Sequence, residues 1–503
     1  MGKAAALAYA VRRGSRMVRR RMVGRALVVV APLGAIALAF AGCDSPSAQD
    51  ETPRFNYPVD APDEDTSTRD AFVAPRDAGG DVLDADADAG PVVVRALATG
   101  SGEQADPLVG NGDHTCMISG ATRSLYCWGA NDHGQIGNGK TGAAAFAEDV
   151  TSATKIALDE TGLPFDGLEE VSLGAWHSCA RKGGLLFCWG QRFTSAQAEP
   201  SAAANLDRTA PRAIGNFDVA RIGAGGPHTC AITSAGKLAC FGHSAFNELG
   251  RPSADDPLCT APFFYDYQAT ANHQCAGTLA GVSFATPAGT TRVVSGEIHS
   301  CALAAGKVSC WGASNSGQLG RPGAAAAELN PQVVVTDPLL LTPLDGVTAL
   351  ASDGAKHTCA LRANGVVCWG LNDVGQLGVD PLGTPLRGFA GPVITGTAGA
   401  TSVGVAERVS CVVRADATVA CWGADLGALA DGGVGASFTP LPVKGPLGVG
   451  LLNTVVAVAP GARHACALKN DGTVWCWGKN DRGQLGNGTK VDSVHPVKVL
   501  GIP

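Results

Sequence analysis

One motif recurs seven times in this chain of 503 residues, and it limits the possible folds more than any other feature. A reference copy reads HTCALRANGVVCWGLNDVGQLG, starting at His357 and ending at Gly378. Other copies begin at His114, His177, His228, His299, Val409 and His464. Their first cysteines, Cys116, Cys179, Cys230, Cys301, Cys359, Cys411 and Cys466, are separated by steps of 63, 51, 71, 58, 52 and 55 residues. A period near 58 that tolerates insertions implies one supersecondary unit per copy, joined by loops of variable length.

Each copy reads as strand, turn, strand. In the reference copy Cys359-Ala-Leu leads to Asn364-Gly365 and then to Val366-Val-Cys368-Trp369. Asn-Gly marks a tight turn because both residues tolerate positive φ. The paired cysteines lie 9, 10 or 11 residues apart, a difference the turn absorbs. Opposed residues on an antiparallel pair approach closely enough for a disulfide. Strand-like segments such as Pro331-Gln-Val-Val-Val and Val455-Val-Ala-Val flank the hairpins, so each unit offers about four strands. With 67 Gly and 29 Pro, long helices are disfavoured. Seven four-stranded units predict an all-β, seven-bladed β-propeller with disulfide-stapled blades. The C-terminal His495-Pro-Val-Lys-Val-Leu resembles a strand that precedes a hairpin, yet none follows it. It is therefore expected to complete the first blade and close the ring.

The pattern H-x-C-A-L, then C-W-G-x-N-x-x-G-Q-L-G, resembles the repeats of the regulator of chromosome condensation family, over about residues 105–503. The resemblance implies a seven-bladed propeller. Three copies depart from it: copy two lacks the G-Q-L-G tail, copy three has Phe241 for Trp, and copy six has Val409 for His.

Fourteen of the 17 cysteines fall into hairpin pairs. Cys116 pairs with Cys127, Cys179 with Cys188, Cys230 with Cys240 and Cys301 with Cys310. Cys359 pairs with Cys368, Cys411 with Cys421 and Cys466 with Cys476. Cys259 and Cys275 make an eighth expected pair, inside an insertion, and Cys43 is left over. Such pairing points to an oxidising compartment. Zinc fits less well, because a structural site needs four ligands and each hairpin offers one His and two Cys. No copy has the C-x-x-C spacing of a redox site.

The first 42 residues read as a lipoprotein signal peptide. Seven arginines from Arg12 to Arg25 are followed by an uncharged stretch at 26–42 and then by Phe40-Ala-Gly-Cys43. Cys43 is the expected lipid attachment site, which places the chain in a bacterial cell envelope, periplasmic or surface-exposed. Residues 43–98, rich in Asp, Ala and Pro, read as a disordered linker, and residues 99–503 as the propeller. The stretch DADADAG at 84–90 fails as a calcium loop, since Ala89 and Arg95 stand where Gly and Glu are required. Removing the signal takes away eight positive charges and moves the formal charge from -7 to -15. A nucleic-acid partner is not indicated, and the chromatin role of the family's nuclear members does not carry over.

The chain carries no G-x-S-x-G or H-E-x-x-H motif. No catalytic, metal or cofactor site is expected. The repeated His is expected to bond backbone within its own blade, and the repeated Trp to pack between blades. Recognition is expected where the repeat breaks. The first candidate is the loop between Cys259 and Cys275, with Phe263, Phe264, Tyr265 and Tyr267. A weaker candidate is the insertion at 324–345. The favoured function is a monomeric, membrane-tethered binding or scaffold protein that presents loops to a protein or glycan. The resemblance extends to secreted inhibitors such as the propeller-type β-lactamase inhibitor. The alternative is an envelope polysaccharide hydrolase or lyase, with carboxylates or histidines from several blades gathered in one mouth of the ring.

Overall fold

The computed structural model describes residues 96–99, 113–140, 149–191, 207–215, 217–252, 275–283, 285–424 and 435–503. They form seven antiparallel four-stranded sheets, each built from strands consecutive in the chain. Blade 1 comprises Ala96–Thr99, His114–Ser119, Ser124–Gly129 and Val150–Ile156. Blade 2 comprises Glu170–Leu173, His177–Lys182, Leu185–Gly190 and Arg208–Ala213. Blade 3 comprises Val219–Ala224, His228–Thr233, Leu238–His243 and Cys275–Gly281. Blade 4 comprises Thr290–Ser295, His299–Ala304, Lys307–Ala313 and Ala327–Val333. Blade 5 comprises Val347–Ala351, His357–Arg362, Gly365–Leu371 and Leu386–Arg387. Blade 6 comprises Ser402–Ala406, Val409–Val413, Val419–Gly423 and Ser437–Pro442. Blade 7 comprises Val455–Pro460, His464–Lys469, Val474–Gly478 and Ser493–Lys498.

The repeated motif supplies the two middle strands of each blade. Its cysteines are directly opposed, as in Cys359 against Cys368. All seven hairpin pairs are disulfides. The bonds in blades 1 to 4 join Cys116 to Cys127, Cys179 to Cys188, Cys230 to Cys240 and Cys301 to Cys310. Those in blades 5 to 7 join Cys359 to Cys368, Cys411 to Cys421 and Cys466 to Cys476. The Cα separation is 4.2 Å in blade 5 and 4.1 Å in the other six. So short a distance belongs to a non-hydrogen-bonded antiparallel pair. The expected pair of Cys259 with Cys275 and the lipid site Cys43 lie outside what is described, although Cys275 begins the outer strand of blade 3.

The closure differs from the expectation. Ser493–Lys498 does not join blade 1; it is the outer strand of blade 7, with Val497 opposite Cys476. Blade 1 has its own innermost strand, Ala96–Thr99, which pairs with His114–Ser119. A strand lying between two hairpins can in principle join either one. Here the segment after each hairpin folds back onto that hairpin's second strand, and the segment just before each hairpin forms the inner strand. Side chains close the ring. The buried Arg482 guanidinium bonds Asp149 at 2.8 Å and also reaches Asp132. Arg463 bonds Asp113 at 2.7 Å. Burial alone would push the Arg482 guanidinium down, but its bonds to Asp149 and Asp132 outweigh that and raise it.

Blades are joined to one another by a recurring latch. His Nε2 of one blade meets a Ser or Thr hydroxyl of the next. The pairs are His114–Ser178 at 2.9 Å, His177–Thr229 at 2.8 Å and His228–Ser300 at 2.8 Å. They continue with His299–Thr358 at 2.9 Å and His357–Ser410 at 2.8 Å, and His464–Thr115 at 2.8 Å spans the closure. The histidines therefore bond a neighbouring blade, not backbone in their own. The strand start places each imidazole at the blade edge, where the second residue of the next H-S/T-C supplies the hydroxyl.

The tail of the motif completes the latch. The Gln135 carbonyl of blade 1 accepts from both Ser178 Oγ and Trp189 Nε1 of blade 2, each at 2.8 Å. The Gln376 carbonyl does the same for Ser410 and Trp422, each at 2.9 Å. Trp369 donates to the Gln318 carbonyl and Trp128 to that of Gln484, both at 2.9 Å. The tail's last glycine lies under the indole: a Cβ at Gly320 (φ +62) would come within 3.0 Å of Trp369. Since the Ser410 proton goes to a carbonyl, its oxygen accepts from His357, which is then the neutral Nε2–H tautomer. The buried Nδ1 atoms of His228, His299 and His464 have no partner among the described residues. Protonation would bury an N–H with no acceptor. Burial holds His177, His299 and His357 at about 3 and His464 at about 4.

Departures from the repeat come in matched sets. Val409 replaces the His of blade 6, and Ala465 of blade 7 replaces its hydroxyl partner; both are buried in one apolar cluster. Phe241 of blade 3 has no N–H to donate, and the preceding copy lacks the G-Q-L-G tail. Glu248 replaces the tail Gln of blade 3, and its Oε1 lies 2.5 Å from His243 Nδ1.

Two outcomes follow. Val409→His alone should destabilise the protein by about 1–3 kcal/mol, by burying an unpaired donor. Adding Ala465→Thr should restore most of that loss, read as a positive coupling in a double-mutant cycle of urea melts. Replacing Cys359 and Cys368 together by Ser should lower stability by about 2–3 kcal/mol in the same melts.

Candidate binding site: the central channel and one face of the ring

The inner strands line a central channel of about 480 Å³. Its lining is set by the residue seven positions before each repeated His. Blades 2, 3 and 4 place Glu170, Arg221 and Arg292 there. Blades 6 and 7 place Ser402 and Ala457 at the same position, and blade 5, shifted by one residue, places Ala349 there. One side of the channel is thus charged and the other small or apolar. Asp353 follows the inner strand of blade 5 and also lines the channel. Burial raises the Glu170 carboxyl, against Arg221, Arg181 and Arg292, and pushes Asp353 up to about 6, against Arg292.

The wall carboxylates have structural partners. Glu169 pairs with the Arg181 guanidinium, which lies 3.7 Å from Glu170. Glu170 Oε2 also accepts the Ile222 backbone N–H at 3.2 Å, tying the inner strands of blades 2 and 3 together. Arg221 and Arg292 are different. Arg221 donates to the Ala220 carbonyl at 2.8 Å. Arg292 makes no hydrogen bond or ion pair among the described residues. Both are exposed to the channel.

One face of the ring carries projecting apolar tips. Strand direction alternates within a blade, so the hairpin turns share a face with the connections from each outer strand to the next inner strand. Three of these connections fold into small arches closed by the bridges Leu158–Pro164, Val335–Pro343 and Lys444–Leu451. At their tips Leu163 is 61 %, Leu339 90 %, Leu340 79 %, Leu447 89 % and Val449 75 % exposed. The arches are built by local hydrogen bonds. Asp337 Oδ1 accepts from the Leu339 and Leu340 N–H groups, both at 2.8 Å, which holds its carboxyl below the usual range. Asp159 accepts from the N–H groups of Thr161 and Leu163.

The sequence-based insertion at 324–345 contains the blade 4 outer strand and the Leu339 tip. The aromatic candidates Phe263, Phe264, Tyr265 and Tyr267 lie outside the described residues. Their segment joins the last two strands of blade 3, so its ends lie on the face opposite the leucine tips. Sequence reasoning missed Arg221, Arg292 and the other two arches. Aligning the copies on His and reading seven residues back would have found the arginines.

Comparison with known proteins bears on the repeat directly. The family model "Regulator of chromosome condensation (RCC1) repeat" matches residues 347–376, 455–484 and 471–503. The chain is 26 % identical to the Ultraviolet-B receptor UVR8 of Arabidopsis thaliana, over 69 % of this chain and 73 % of that protein. It is also 26 % identical to the human E3 ubiquitin-protein ligase HERC2, over 75 % of this chain but 7 % of that protein. Among solved structures, yeast RCC1 (Prp20) bound to Kap60 superposes with a TM-score of 0.57 at 20 % identity, covering 75 % of this chain and 84 % of that one. Human WBSCR16 superposes with a TM-score of 0.59 at 18 % identity, covering 76 % and 96 %. The described residues form a seven-bladed propeller, and blades 5 and 7 match the regulator of chromosome condensation repeat.

Proposed function

We propose that this protein is a binding module held outside the cytoplasm, which presents the leucine-tipped face of its propeller to a protein partner. The observation that carries the reading is the set of three arches on one face, each of which holds apolar side chains out in water. A protein that gains nothing from such tips would pay their solvation cost for no return. Leucine and valine suit a protein surface better than a glycan. Relatives of similar architecture support protein binding: the structure of one, Prp20, is described together with its binding to Gsp1p and histones.

Tethering through Cys43 in a bacterial envelope is part of this proposal. It draws on the basic and then apolar start of the chain and on seven disulfides, which persist where thiols are oxidised. The polysaccharide hydrolase or lyase alternative gains no support from the channel, where Glu169 and Glu170 are engaged by Arg181 and the Ile222 N–H.

The test is comparative cross-linking of the exported full chain in envelope preparations. A variant carrying Leu339→Ser, Leu340→Ser, Leu447→Ser and Val449→Ser should lose the cross-linked partner at least about tenfold, with an unchanged melting temperature. Deleting residues 260–274 should leave the partner in place. Loss on the loop deletion with retention in the leucine variant would move recognition to that loop and overturn the reading.

A further inference from the structure

We infer that the central channel is a binding site for a small organic dianion, held between Arg221 and Arg292. The fold does not call for these arginines. Three other blades fill the same register position with Ala349, Ser402 and Ala457, and the inner strands converge as well there. Glycine and alanine at neighbouring positions show how little room convergence leaves: a Cβ on Gly223 would lie 2.6 Å from the Val293 carbonyl oxygen. Two long cations on adjacent inner strands are therefore an addition to the architecture.

Their surroundings leave them available. Arg221 makes a single hydrogen bond, to a backbone carbonyl, and Arg292 makes none among the described residues. Glu169 pairs with Arg181, and Glu170, tied to the Ile222 N–H, acts on Arg221 and Arg292 by charge but forms no ion pair with either among the described residues. Asp353 acts on Arg292 as well, so nearby carboxyls temper the two guanidinium groups by charge without occupying their N–H forks. Two guanidinium groups side by side repel unless an anion bridges them, and a planar fork suits a carboxylate or phosphate. The opposite wall, with Ser402, Gly404, Ala457 and Ala459, is small and largely apolar. That wall leaves space for a short carbon chain, and the channel volume of about 480 Å³ lies in the range of small-molecule sites. Shape and charge together select a short dicarboxylate over a bare inorganic ion.

The experiment is isothermal titration of the full exported chain with succinate, and separately with inorganic phosphate, at ionic strength matched with sodium chloride. Succinate should bind one to one. Arg221→Gln and Arg292→Gln should each weaken it at least about tenfold, as expected for losing a charge-assisted fork. Ala457→Trp should block the channel from the opposite wall and abolish binding, with blade stability retained in thermal melts. An absence of succinate binding, affinity unchanged in both arginine variants, or binding of phosphate alone would each overturn the inference.

Discussion

The hydrogen bond from a buried, neutral imidazole to a hydroxyl on the next blade is what makes seven separate hairpins into a ring. A four-stranded blade has two apolar faces and cannot bury both alone. Apolar packing brings blades together but does not fix their angle or register. The latch does. Each hydroxyl accepts from His behind it and, as Ser178 and Ser410 do, donates to the Gln carbonyl that also receives the Trp indole. Both partners are buried, so each unmade bond would leave a polar group without water. The disulfide sits two residues beyond the His and holds the strand that carries it against its mate.

The departures from the repeat confirm that these groups act as sets. Where Val409 removes the imidazole, Ala465 removes the hydroxyl, and the seam becomes apolar. Where Glu248 replaces the glutamine, His243 moves in beside its carboxyl. Losing one member of a buried polar set costs more than losing all of it. The closure between blades 7 and 1 needs no shared strand, because it has the latch of His464 with Thr115 and the buried Arg482–Asp149 pair.

The architecture was legible from the sequence because every blade repeats the same solution. Cys359, Cys368 and Trp369 mean little singly, but their sevenfold recurrence admits few folds. Two expectations failed for physical reasons. A strand between two hairpins is open to both, so the ownership of Ser493–Lys498 was undecided until its register against Cys476 was known. The histidine's partner was sought within its own copy, whereas its imidazole reaches over the blade edge, a distance of 52 residues from His177 to Thr229. The channel arginines and the leucine arches were harder to see. They occupy positions that the repeat leaves free, and nothing in a single copy distinguishes Arg292 from Ala457.

The most direct measurement is histidine-selective NMR of the folded protein through a pH titration. The latch predicts that His177, His228, His299, His357 and His464 stay neutral, as the Nε2–H tautomer, well below the ordinary value of 6.5. An unfolded chain takes up those protons near 6.5, so stability should be complete above that pH and fall steadily as the pH drops toward about 4. Ring signals that titrate near 6.5 while the protein remains folded, or that report the Nδ1–H form, would contradict the latch.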